Sequence, residues 1–154
     1  LGFSLPSAVL LLTAFNLTNG ISRLASGVLS DRYGRRRVMS LAFLASGMAY
    51  LVLPQAEGLL TCAILAAVVG FSFGTLFSVS APLVADCFGL EHFGAIFGLA
   101  FAAYGFVSGP LGPTLSGYLL DITGNNYTLV FLYLSLFSLL ASICIRQVLP
   151  PAGS

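Results

Sequence analysis

Five long apolar stretches, separated by short polar breaks, leave this chain few ways to fold. They cover residues 5–29, 38–53, 59–85, 93–120 and 127–145. A helix needs about 20 apolar residues to cross the hydrocarbon core of a bilayer. The second stretch is short for this, and its flanking residues must extend it. Lipid offers no partner for a backbone N–H or C=O, so each crossing segment must satisfy its own groups as a helix. Alternating segments of about ten residues, the mark of a membrane barrel, are missing. The expected fold class is therefore an all-α membrane protein with five transmembrane helices.

Composition removes the rivals. Of 154 residues, 58% are hydrophobic and 7% charged, where soluble domains carry about 25% charged residues. So short a chain has too little interior to hide that much apolar surface. Disorder requires the opposite composition. The net charge is +1 and there is no Lys, which disfavours a nucleic-acid partner. Cys62, Cys87 and Cys144 are far apart and read as packing residues rather than a disulfide framework or a metal site. No nucleophile–base pair or metal-ligand cluster is readable, so neither an enzyme, a metal nor a cofactor is expected. The chain starts at Leu1, and its first stretch is too long for a signal peptide, so further sequence is expected before it.

The breaks set the topology. Arg32, Arg35, Arg36 and Arg37 lie in the first break, and Arg146 follows the last stretch. Five crossings put the first break, the third break and the C-terminus on one side; the other side holds no Arg. An excess of Arg marks the cytoplasmic side. Segment 30–37 and the C-terminus are therefore expected there, with the plasma membrane preferred over an organelle. Asn126-Tyr127-Thr128 is a glycosylation sequon on the outer side, very close to the membrane. His92, beside Glu91, reads as a solvated loop residue.

Small residues let membrane helices approach. The fourth stretch carries Gly94, Gly98, Gly105, Gly109, Gly112 and Gly117; the third carries Gly70, Gly74 and Ser78. The second has only Gly47 and the fifth none. By this count the first, third and fourth helices are interior and the second and fifth peripheral. Pro110 and Pro113 each delete a backbone hydrogen bond, predicting a kink near Ser108 to Thr114.

Arg23 stands inside the first stretch. A charge deep in a bilayer costs at least ~2.5–3.5 kcal/mol. Asn16, Asn19, Gly20, Arg23 and Gly27 recur at three- and four-residue spacing and form one polar stripe, which must face a cavity or another helix. No acidic residue occurs within any of the five stretches. An anionic ligand would supply the missing counter-charge, and a small organic acid suits the two-bond geometry of guanidinium and carboxylate. The alternatives are that Arg23 reaches to the membrane surface or pairs with a helix outside this sequence.

Gly27-Val28-Leu29-Ser30-Asp31-Arg32-Tyr33-Gly34-Arg35-Arg36-Arg37 reads G-x-x-x-D-R-x-G-R-R-R. Gly27 lets the helix end approach a neighbour, Asp31 can cap the next segment or pair with an Arg, and Gly34 permits a tight turn. This string resembles the signature loop of the major facilitator superfamily. Ala103-Tyr104-Gly105, Gly109-Pro110, Gly112-Pro113 and Gly117-Tyr118, with Phe93-Gly94 before them, resemble the last two helices of its monocarboxylate and oxalate/formate antiporter branch. Asn19-Gly20-Ile21-Ser22-Arg23 resembles the arginine-bearing segment of helix 8 there. The resemblance implies a partial fold, helices 8 to 12 of a twelve-helix carrier, with helix 7 and the N-terminal half as absent partners. Helices 2 to 6 are the alternative placement. The family's peripheral helices, 9 and 12, fall on the two Gly-poor stretches. Alternating access is implied, with Arg23 binding or gating the anion and Asn16, Asn19 and Tyr104 lining its path. Asp31, Arg32, Arg35 and Arg36 would stabilise one conformation.

Two departures matter. Asn19 stands where animal monocarboxylate carriers usually have Asp, which weakens an aspartate-based proton mechanism. Tyr104 stands where oxalate exchangers have Lys, so a monocarboxylate is easier to justify than oxalate. The rival readings are a carrier of neutral solutes on the same fold and a truncated membrane partner with no transport of its own.

Overall fold

The computed structural model describes residues 5–148. Among these, five helices are long and apolar enough to cross a membrane: Leu5–Tyr33, Arg35–Gln55, Leu59–Phe88, Phe93–Ile122 and Tyr127–Gln147. The first is α1 (Leu5–Tyr33); α2 (Arg35–Val52) follows and closes with one 3-10 turn. The third is α3 (Leu59–Phe88). The fourth is built from α4 (Phe93–Ala102), a π-helical turn at Ala103–Ser108 and α5 (Gly109–Ile122). The last is α6 (Tyr127–Gln147).

The helices run further than the apolar stretches. Segment 30–37 was expected to be a loop. Instead α1 continues through Asp31 and Arg32, and α2 begins at Arg35. Polar residues at a helix end can stay helical because they emerge from the lipid. Only Gly34 interrupts, at φ 93°, a conformation that costs a residue with a Cβ. No side chain caps α2 at this point, so Asp31 does not serve as its cap. At the opposite end of the bundle, Asn126 of the sequon caps α6, its Oδ1 accepting from Thr128 N–H at 3.1 Å, which satisfies an orphan amide.

Small hydroxyl residues share the interior with apolar ones such as Met39, Val79 and Val130, while many large apolar residues lie on the exterior. Ser22, Ser26, Ser40, Ser72, Thr75, Ser135 and Ser142 are buried, while Leu24 and Phe106 are 80% and 85% exposed. This hydroxyl content is unlike a soluble core, as expected where lipid tails are as apolar as leucine and association depends on close packing and interhelical hydrogen bonds. Gly70 and Gly74 bring the α3 backbone against α1. A Cβ on either would collide with the Phe15 or Asn19 carbonyl.

The order of burial differs from the one expected from glycine counts. The second helix, α2, packs against α1, α3 and α6 and buries six residues, including Ser40, Ser46 and Gly47. Ser40 Oγ donates to Ser142 O at 3.0 Å and Ser142 Oγ donates back to Ser40 O at 2.7 Å. Ser135 Oγ donates to Gly47 O at 2.8 Å. Each such bond contributes on average about 0.6 kcal/mol. Serine here does what the count credited only to glycine. The fourth helix buries no residue. It joins the rest through α4 against α3 and α5 against α6, where Tyr133 Oη and Ser116 Oγ lie 2.6 Å apart.

The irregularity in the fourth helix lies one turn before the predicted Ser108–Thr114 kink. The Pro110 ring crowds the carbonyl four residues earlier, at Phe106. The chain answers by widening the preceding turn, so Gly109 N–H reaches back to Tyr104 O.

Candidate functional site

Arg23 sits on α1 about 15 Å from its end at Tyr33, at about 1.5 Å per residue. Its backbone is fixed by α3, because Ser78 Oγ donates to Arg23 O at 2.8 Å. The side chain is exposed at the surface of this chain. Its Nε donates to Asn19 Oδ1 at 3.4 Å, long for such a bond. The guanidinium also lies 5.4 Å from the centre of the Phe77 ring, a distance at which the ring quadrupole attracts a cation. No carboxylate lies within ion-pair distance of Arg23 among the described residues.

Tyr104, on the π-helical turn, reaches the same ring. It meets Phe77 edge to face at 5.9 Å, with Phe101 at 6.2 Å from it. The structure thus brings Arg23, Asn19 and Tyr104 together around Phe77. Asn16 stays apart, its amide given to Leu12 O at 2.9 Å within its own helix. Gly27 faces Ser78, which a Cβ would meet at 3.6 Å. Beside Tyr104 is a mainly apolar cavity of about 250 Å³ lined by Met39, Phe77, Ser80, Leu83 and Phe101. The buried Ser80 Oγ has no hydrogen-bond partner among the described residues.

Phe77 and Phe101 were not singled out from the sequence, and Ser78 was read only as a small packing residue. The signal was present as aromatic pairs four residues apart, Phe73 with Phe77 and Phe97 with Phe101. The two pairs interlock where α3 meets α4, with the Phe77 and Phe101 ring centres 6.0 Å apart. Reading the fourth helix only for glycine and proline passed over them.

The arginine-rich motif is a second and separate constellation. Arg35 Nη2 lies 3.6 Å from Asp31 Oδ1. Its Nη1 pairs with Asp86 and donates to Pro82 O at 2.9 Å. One guanidinium therefore joins the end of α1, the start of α2 and the end of α3. Asp86 is the partner that the motif itself does not contain. Arg36 donates to Val148 O at 2.6 Å, so the end of α6 lies at this same end of the bundle. The Arg32 guanidinium lies 5.8 Å from the Tyr33 ring centre. Gly109 meets the first constellation through its N–H bond to Tyr104 O; with Gly105, Pro110, Gly112 and Pro113 it shapes the helix that carries Tyr104.

A positively charged fork with one weak amide partner, beside an aromatic wall, can bind a carboxylate in two parallel hydrogen bonds. Among the described residues no group of His, Cys, Asp and Glu could hold a metal ion.

A family profile described as Major Facilitator Superfamily matches residues 1–154. Monocarboxylate transporter 13 of Rattus norvegicus is 32% identical over 144 residues, 92% of this chain and 33% of that protein. MFS transporter asaE of Aspergillus flavus is 29% identical over 82% of this chain and 29% of its own length. Monocarboxylate transporter 2 of Homo sapiens is 30% identical over 77% of this chain and 26% of its own length. The chain thus spans about a third or less of the curated relatives it matches. No solved structure matches it.

Proposed function

The chain belongs to the major facilitator superfamily, and from that premise we propose that it forms part of a secondary carrier for a small organic anion, a monocarboxylate in particular. The observation that carries this reading is Arg23: a guanidinium within a membrane helix, without a carboxylate partner among the described residues, beside Asn19 and the face of Phe77. An incoming carboxylate replaces the long Asn19 contact with two charge-assisted bonds, and Phe77 and Tyr104 offer its apolar part a wall. A single cation suits one negative charge. The names of the rat and human relatives point to the same substrate class.

In this reading the carrier works by alternating access, with the site between this five-helix unit and a second unit of the same carrier. The Arg35 cluster holds α1, α2 and α3 together in one conformation and does not touch the substrate. The arginine-rich end lies in the cytoplasm by the positive-inside rule, in the plasma membrane.

The test is uptake of radiolabelled lactate, pyruvate and formate by the intact carrier, with Arg23→Gln beside the parent. Hydrogen bonds to charged groups contribute roughly 1.5–3 kcal/mol each; Gln keeps one donor and loses the other, so uptake at low substrate concentration should fall by about 10- to 100-fold, with membrane insertion unchanged. Parent-level uptake by the variant rules out Arg23 as the anion site. Competition by neutral solutes and not by anions rules out the substrate class.

A further inference from the structure

Three other arginines meet at the Arg-rich end, between α2 and α6. Arg36 and Arg37 come from the first turn of α2 and Arg146 from the last turn of α6, and with Leu41 they line an open cavity of about 350 Å³. No carboxylate lies within 4.0 Å of any of the three among the described residues. Arg36 is steered by Val148 O and Arg146 by Ser40 Oγ, which accepts from its Nε at 3.1 Å. Both contacts fix geometry, and neither neutralises charge. Arg37 is exposed and has no side-chain partner among the described residues. The uncapped start of α2 turns its free N–H groups toward the same end, adding positive potential. One turn deeper Leu41 is exposed, as is Met48 further along the helix, so the cavity opens onto an exposed apolar face of α2.

We propose that this cavity binds the phosphate headgroup of an acidic phospholipid. Guanidinium forks match phosphate oxygens. Three like charges held around one opening repel each other unless an anion lies between them. Basic pockets between membrane helices take such headgroups. The apolar rim at Leu41 selects a lipid over free phosphate, because the acyl chains continue along the exposed face of α2. This inference stands on the membrane-spanning helices and three side chains, and is independent of what the carrier transports.

The intact carrier, purified in detergent micelles, is offered equal amounts of phosphatidylglycerol and phosphatidylcholine, and the retained lipid is read by native mass spectrometry. The expected result is a phosphatidylglycerol adduct favoured by about 100-fold, falling about fivefold for each arginine replaced by glutamine. Arg37→Gln is the decisive variant, since its side chain supports no other part of the fold. Arg36→Gln with Arg37→Gln and Arg146→Gln should abolish the preference, and Arg32→Gln, outside the cavity, should keep it. Equal retention of the two lipids by the parent chain overturns the proposal, as does an unchanged preference in Arg37→Gln. Displacement of the lipid by inorganic phosphate at matched concentration also overturns it, in favour of a free phosphate ion.

Discussion

Between α1 and α3, Gly70 and Gly74 let two backbones touch, and any added carbon would enter the space of the Phe15 and Asn19 carbonyls or of the Ser22 hydroxyl. On the fourth helix Gly94, Gly98, Gly105, Gly112 and Gly117 have open space around them within this chain. The sequence writes both sets alike, as small residues at helical spacing. The difference teaches that such spacing is a permission to approach, and that the neighbour decides whether the permission is used. On α3 it is used by α1. On the fourth helix it is unused by anything among the described residues.

This contrast can be broken by substitution. The largest effect is expected from Gly74→Leu, whose side chain has nowhere to go while α1 remains in place. Overpacking of this kind costs about 3 kcal/mol or more, enough to separate α1 from α3, and circular dichroism during unfolding in micelles should show a much earlier transition. A smaller effect is expected from Gly47→Ala. Its new carbon would meet Leu139 Cδ2 and Cγ at 2.8 Å and the Leu139 backbone N at 3.4 Å; the side chain can rotate and the backbone must give slightly, so about 1–2 kcal/mol is the expected cost. The smallest is Gly98→Ala, which should stay within about 0.5 kcal/mol of the parent. A Gly98→Ala penalty as large as that of Gly74→Leu would mean that the two glycine sets are equivalent after all.

Much of the fold was legible. The number of crossings follows from the apolar runs, because lipid leaves the backbone no other solution. The close packing of the third helix follows from Gly70 and Gly74, although its partner α1 does not. The motif at 27–37 pointed to the family to which the chain belongs. What was not legible depends on three dimensions. Ser40 and Ser142 are 102 positions apart, and nothing in a single chain pairs them. Asp86, the strongest partner of Arg35, looked like part of a polar break. Phe77 is one of 13 Phe in the sequence, and only the fold places Arg23 of α1 and Tyr104 of the π-helical turn on it. Within this chain the fourth helix buries no residue, because glycine content measures how close a helix can come to a neighbour, and not which neighbour is there.

The widened turn at Ala103–Ser108 carries a geometric consequence. Regular helix advances about 100° per residue, and a π-type turn accommodates one residue more than the helix on either side of it. The two ends of the fourth helix are therefore out of phase by about 100°, like two lengths of screw joined with a slipped thread. On an unbroken helical wheel Gly98 and Gly109 fall close together. In this chain they point to different quarters, so the long row of glycines is two short rows, each addressing its own direction. A neighbour that fits the Gly94–Gly98 side is not the one that fits the Gly109–Gly112 side. Tyr104 sits at the joint between them.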